Sequence, residues 1–112
     1  MARNPQLLGL PAKLAGKMEY PLPSGDLVDV LFTDREEWVA IEVKSKLSPE
    51  VDLVRGIFQC IKYRAVIEAY QASLGLRQAV RSVLVLEDTL PGSLVALKNM
   101  LGVEVQDGVE IW

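Results

Sequence analysis

The sequence contains no histidine, and this absence removes whole classes of chemistry. Histidine is the usual general base near neutral pH and the commonest transition-metal ligand. Ser-His-Asp and Cys-His triads, histidine zinc sites and histidine-dependent nuclease mechanisms are therefore excluded. Any catalysis must come from carboxylates, lysine, tyrosine, hydroxyl groups and a hard cation that prefers oxygen ligands.

Cysteine and long apolar runs are also scarce. Cys60 is the single cysteine, so no disulfide can form within the chain, which favours a cytoplasmic protein. No apolar run approaches the roughly 20 residues of a membrane span, and prolines interrupt any secretory signal near the N-terminus. The net charge of -3 argues against a large basic surface that coats nucleic acid, but it allows a small site with a few cations.

The length of 112 residues predicts a single domain, residues 1–112, without room for a separate recognition domain. Half of the residues are hydrophobic and the mean hydropathy is +0.21, which is high for a small monomer. Because a short N-terminal helix cannot cover an apolar sheet, we expect a homo-oligomer that buries on the order of 1,000 Å² between chains.

The apolar and turn residues predict an α+β protein with one mixed sheet. We expect a short helix at residues 10–17 and then three strands whose short connections imply antiparallel pairing. A long helix should follow, with Ser48 as its N-cap and its end near Ser73. Residues 80–87 are almost continuously apolar, which predicts a strand that is buried on both faces. A short helix and a terminal β-hairpin should complete the fold.

The stretch WVAIEVKSK, residues 38–46, places charged side chains at the end of a predicted strand. Side chains alternate along a strand, so Glu42 and Lys44 share one face. Asp29 lies on the preceding strand, at a separation that allows the chain to cross, turn and return beside it. Two carboxylates and a lysine that converge in this way can hold Mg²⁺ and leave the ammonium group to orient a water or help deprotonate it.

The predicted long helix carries polar residues on one side of an otherwise largely apolar surface. Arg55, Gln59, Lys62 and Tyr63 lie within one arc of about 100° on a regular helix. We expect Gln59 and Tyr63 to face Asp29, Glu42 and Lys44.

Taken together, Asp29, Glu42-x-Lys44 and Gln59-x-x-x-Tyr63 resemble the motifs of the PD-(D/E)xK nuclease superfamily, which has the restriction-endonuclease-like fold. The Gln-x-x-x-Tyr pair resembles the variant found in nuclease domains of recombination helicases and in several resolvase-like families. The resemblance implies an αβββαβ core, here extended by a C-terminal helix and a short β-hairpin.

The resemblance covers roughly residues 10–87 and departs from the pattern at Val28, which stands where proline often precedes the aspartate. It implies that Asp29 and Glu42 ligate Mg²⁺ or Mn²⁺, with Glu19 and the Val43 carbonyl as further candidate ligands.

The remaining roles implied by the resemblance concern catalysis and DNA. Lys44 would orient the attacking water and stabilise charge on the phosphate, and Gln59 would steady Lys44 or a metal-bound water. Tyr63, together with Arg55 or Lys62, would contact the DNA backbone. Specific cleavage of a DNA target would then require an oligomer or a partner protein.

Several residues also have a simpler interpretation. Asp29 could face solvent, and Glu42 with Lys44 could form a same-face ion pair of little energetic value. Asp26 could cap a turn or replace Asp29 as a ligand, and Cys60 fits an inert core position. At the level of function, the alternative to a nuclease is a non-catalytic oligomeric interaction module that retains the nuclease fold.

Overall fold

The computed structural model describes the backbone of residues 15–109 and the side chains of residues 20–109. The elements in chain order are β1 (Ala15–Pro21), β2 (Leu27–Thr33), β3 (Glu37–Lys44), α1 (Glu50–Ser73), β4 (Ala79–Leu86), a 3₁₀ turn (Gly92–Leu94), α2 (Val95–Leu101) and β5 (Glu104–Gln106).

The five strands form one mixed sheet in the order β1-β2-β3-β4-β5. β1, β2 and β3 are antiparallel, as their short connections require. α1 then crosses one face of the sheet and leads to β4, which runs parallel to β3. The predicted α+β class with a mixed sheet is confirmed.

The helix predicted for residues 10–17 is wrong at its C-terminal end. Residues 15–17 belong to β1 and pair with residues 31–33 of β2, whereas residues 10–14 lie outside the described part of the chain. A neighbouring strand satisfies the backbone donors and acceptors of this segment, and that tertiary context overrides a weak local helix preference. The first helix of the expected αβββαβ order therefore has no counterpart within residues 15–109.

The C-terminal segment also pairs differently from the prediction. β5 runs parallel to β4, with Leu84 opposite Val105, because α2 carries the chain back before β5 begins. A turn does follow β5, but the Val109 N–H then donates to the carbonyl of Leu86 and not to β5. Residues 110–112, in the predicted second arm of the hairpin, lie outside the described residues.

α1 has the predicted end but a different start. Pro49 is its N-cap and no side chain caps it, so the prediction of Ser48 as the N-cap is wrong. Ser48 instead lies in the preceding turn, where its N–H donates to the carbonyl of Ser45. The helix ends at Ser73, and Gly75 follows with φ of 73°, a left-handed conformation that favours glycine.

The core lies on both faces of the sheet, as predicted for residues 80–87. Val83 and Val85 pack with β2 and β3 on one face, whereas Leu84 and Leu86 pack on the other face against α1. Cys60 belongs to the α1 side and is fully buried, and burial raises the pKa of its thiol to about 12, which keeps it in the unreactive thiol form. Among the described helices, none has the length and apolarity needed to cross a membrane.

Candidate active site

β2 and β3 stop pairing regularly at the level of Asp29. Their register runs from Thr33 opposite Trp38 to Val30 opposite Ile41. At the next position the Asp29 Oδ2 atom accepts a hydrogen bond of 2.8 Å from the Val43 N–H. A side-chain carboxylate thus takes a backbone donor between the two strands, which fixes the Asp29 side chain beside β3.

Glu42 lies on the face of β3 that α1 covers, and only 8% of its surface is exposed. The Tyr63 hydroxyl donates a hydrogen bond of 2.7 Å to Glu42 Oε2 and also lies 3.1 Å from the Leu27 carbonyl. A buried carboxylate requires such a donor, because burial without a hydrogen bond costs a large free energy. The predicted convergence of the helix with the strand glutamate is therefore present.

The surroundings of Glu42 disfavour its charged form, so its carboxyl group favours binding of a proton or a cation. The pKa of the Glu42 carboxyl is raised from 4.5 to about 7, first by burial and then by the neighbouring Asp29 carboxyl, while Tyr63 and Lys44 act in the opposite direction. Two adjacent carboxylates in a poorly solvated site cannot both ionise at low cost. Burial and then Glu42 raise the pKa of the Tyr63 hydroxyl, so it stays protonated as the donor.

Lys44 shares the face of Glu42, and its aliphatic chain crosses α1 at Gly56. A Cβ atom at position 56 would lie 3.4 Å from Lys44 Cε and 2.9 Å from Leu84 Cδ1. Glycine in a helix interior costs about 1 kcal/mol relative to alanine. Gly56 was missed by the sequence reasoning, although a glycine in the middle of a long helix is itself a signal of close approach.

Two cationic residues of the predicted arc have carboxylate partners within the protein. Lys62 Nζ lies 3.0 Å from Asp26 Oδ2, and Ser24 donates a hydrogen bond of 2.6 Å to the same carboxylate. Asp26 therefore has the predicted place in the turn, and these two contacts lower the pKa of its carboxyl. Arg55 lies 3.6 Å from Asp52, and 74% of its side chain is exposed.

Gln59 and Tyr63 lie one turn apart on the same side of α1. Gln59 Oε1 is buried and has no hydrogen-bond partner within residues 20–109. Tyr63 is only 3% exposed, and its hydroxyl contacts Glu42 and Leu27. The structure thus places Tyr63 beside the strand glutamate and not on a surface that could contact a DNA backbone.

Two carboxyl groups, those of Asp29 and Glu42, are neighbours in this part of the structure. No group of three or more Asp, Glu, Cys or His residues that could hold a metal occurs within the described residues. The side chain of Glu19 lies outside that range, but β1 pairs Met18 with Val30 and Tyr20 with Val28, so position 19 is at the level of Asp29. Mg²⁺ is commonly held by one or two carboxylates plus waters, so the pair fits this cation.

Comparisons with family models, curated proteins and solved structures find no match to this chain. The resemblance to the PD-(D/E)xK nucleases therefore rests on the motif residues alone.

Proposed function

We propose that this protein is a metal-dependent nuclease that hydrolyses phosphodiester bonds in DNA. The proposal is supported by two carboxyl groups at the point where the regular pairing of β2 and β3 stops: Asp29, which the Val43 N–H holds beside β3, and the buried Glu42, whose pKa the neighbouring Asp29 raises. Two neighbouring carboxylates do not stabilise the fold, because each raises the free energy of ionising the other. Their proximity therefore favours a functional role.

Asp29 and Glu42 are the proposed ligands of Mg²⁺ or Mn²⁺. One oxygen of each carboxylate accepts a hydrogen bond within the protein, from the Val43 N–H and from Tyr63, and the second oxygen of each is left for a cation. Glu19 and the Val43 carbonyl are further candidate ligands. A bound cation would supply Lewis-acid polarisation of the phosphodiester.

Lys44 would orient the attacking water and stabilise negative charge that develops on the phosphate. The absence of a Cβ at Gly56 leaves space for the Lys44 side chain to pack against α1. Gln59 would help through its unpaired Oε1, because a buried carbonyl oxygen without a donor favours binding of an N–H or O–H group. In this proposal Tyr63 positions Glu42, and the exposed Arg55 is the better candidate for contact with DNA.

The alternative function is a non-catalytic interaction module with the nuclease fold. It is favoured by one observation, which is that both carboxylates already have hydrogen-bond donors within the protein. Glu42 can also carry a proton near neutral pH, so the two carboxyl groups can lie close together without a bound cation. Under this alternative the acidic pair is a remnant and the protein cuts no DNA.

Cleavage and metal binding, measured on the same preparations, separate the two functions. We expect the wild type to nick supercoiled DNA with Mg²⁺ or Mn²⁺, and Lys44→Met to lose cleavage while it keeps cation binding. Asp29→Asn should lose both, because it removes a charged ligand but keeps an acceptor for the Val43 N–H. Lys98→Met, on α2, is the matched control and should cut as the wild type does.

Variants purified in the same way also exclude a contaminating nuclease, since contamination would survive the Lys44→Met change. A wild type that leaves supercoiled and single-stranded DNA uncut, with protein in excess over DNA, would overturn the nuclease proposal in favour of the interaction module.

A further inference from the structure

An ion pair joins α1 to the turn between β1 and β2. Lys62 Nζ lies 3.0 Å from Asp26 Oδ2 and 3.3 Å from Asp26 Oδ1, so the ammonium group contacts both oxygens of the carboxylate. The pair of Arg64 with Glu68, by contrast, lies within α1, four residues apart. The Asp26–Lys62 pair is thus a contact between two elements that are 36 residues apart in the sequence.

This ion pair lies beside the candidate active site. The carbonyl of Leu27, the residue after Asp26, lies 3.1 Å from the Tyr63 hydroxyl, which donates a hydrogen bond to Glu42. Burial is the first cause of the raised pKa of the Tyr63 hydroxyl, and the negative charges of Glu42 and Asp26 contribute further. Asp26 is therefore close enough for its charge to act on the groups of the site.

A carboxylate at this position opposes the binding of DNA. A phosphate that approaches Asp29 and Glu42 also approaches Asp26, whose negative charge repels it. Lys62 offsets that charge, and 54% of the Lys62 side chain is exposed to solvent. Because a lysine side chain is long and flexible, its ammonium group can reach either the Asp26 carboxylate or a phosphate at the entrance to the site.

Exchange of one partner of Lys62 for the other requires little rearrangement. Ion pairs at a protein surface contribute little to stability, so a phosphate can replace the carboxylate. Asp26 keeps a donor in that case, because Ser24 Oγ donates a hydrogen bond of 2.6 Å to Asp26 Oδ2. We propose that Asp26 and a DNA phosphate compete for Lys62, and that Asp26 thereby limits the affinity of the protein for DNA. This inference rests on the proposed nuclease function, because it takes DNA as the ligand of the site.

Asp26→Asn tests the competition without disturbing the turn. Backbone hydrogen bonds close the turn, of 2.8 Å from the Leu22 N–H to the Asp26 carbonyl and of 2.9 Å from the Gly25 N–H to the Leu22 carbonyl. Asparagine keeps a side-chain oxygen that can accept from Ser24, but it removes the charge that holds Lys62. The variant should therefore fold as the wild type does.

The decisive quantity is the loss of DNA affinity caused by Lys62→Met, with and without the Asp26 charge. Fluorescence anisotropy with a labelled duplex oligonucleotide and Mg²⁺ measures the affinity, and every protein carries Lys44→Met to prevent cleavage. With Asp26 present, Lys62→Met should raise the Kd by less than about twofold, because the carboxylate already occupies Lys62. In the Asp26→Asn background it should raise the Kd about fivefold, because a contact with phosphate is lost.

Salt dependence and a matched control complete the test. The slope of log K against log salt concentration should be about 0.9 steeper for Asp26→Asn than for the double variant with Lys62→Met, as expected for one phosphate contact with duplex DNA. Glu68→Gln removes the carboxylate of an ion pair elsewhere on α1 and should leave the Kd unchanged. Equal losses from Lys62→Met in both backgrounds would overturn the competition, even if the wild type cuts DNA. Failure of all these proteins to bind DNA, together with a wild type that cuts none, would overturn the nuclease function and this inference with it.

Discussion

The buried Glu42 carboxyl makes a quantitative prediction about stability and pH. Its pKa is raised from 4.5 to about 7 in the folded protein, so the folded state holds this proton more tightly than the unfolded state does. The contribution of Glu42 is therefore fully present below pH 4.5 and is lost as the pH rises through about 7. At 1.36 kcal/mol per pKa unit, the shift corresponds to about 3 kcal/mol of unfolding free energy.

Glu42→Gln should remove this dependence, because a glutamine resembles the protonated glutamic acid. Its amide group can accept from Tyr63 and donate to Asp29. In metal-free buffer with a chelator, we expect wild type and variant to have similar stability at pH 4.5. At pH 8 the variant should be more stable by about 3 kcal/mol.

Urea unfolding at pH values from 4.5 to 8, followed by tryptophan fluorescence, measures the difference between the two proteins at each pH. Contributions of all other titrating groups to the unfolding free energy are the same in both proteins and cancel in this difference. Glu68→Gln, at an exposed position on α1, is the control and should track the wild type at all pH values. A wild type and a Glu42→Gln variant whose stabilities run parallel across this pH range would refute the reasoning.

Three further predictions concern the same site. Tyr63→Phe should destabilise the protein by about 2 kcal/mol at pH 8, where Glu42 loses a charged hydrogen bond, and by less at pH 5; urea unfolding measures both. Mg²⁺ at a hundred times its Kd should raise the unfolding free energy of the wild type by about 2.7 kcal/mol at pH 8, and Asp29→Asn should abolish this gain in thermal or urea unfolding. Gly56→Ala should reduce DNA cleavage, because the new Cβ would lie 3.4 Å from Lys44 Cε, and should destabilise the fold, because it would lie 2.9 Å from the buried Leu84 Cδ1.

Matched controls make these predictions specific. Gly92→Ala adds a Cβ where no atom lies within 4 Å, so it should leave cleavage unchanged. Tyr70→Phe removes a hydroxyl from the same helix at a position next to Trp38 and should not show the pH-dependent loss expected for Tyr63→Phe. Stabilisation of Asp29→Asn by Mg²⁺ equal to that of the wild type would contradict the assignment of Asp29 as a ligand.

The sequence alone was sufficient for features that depend on local periodicity. Alternation along residues 38–44 put Glu42 and Lys44 on one face, and the short connections implied antiparallel strands. The end of the long helix at Ser73 was predicted because Gly75 supplies a left-handed C-terminal conformation locally. These features involve interactions between residues that are near in sequence, which is why they can be predicted without tertiary contacts.

Features that depend on distant partners were decided only by the tertiary structure. Residues 15–17 become a strand because β2 offers backbone hydrogen bonds to them, and β5 joins the sheet in parallel because α2 first returns the chain. The contact of Tyr63 with Glu42 and of Asp29 with the Val43 N–H depends on where α1 crosses the sheet and where the strands separate. Sequence spacing predicts which residues can meet, but packing of the helix on the sheet decides which atoms bond.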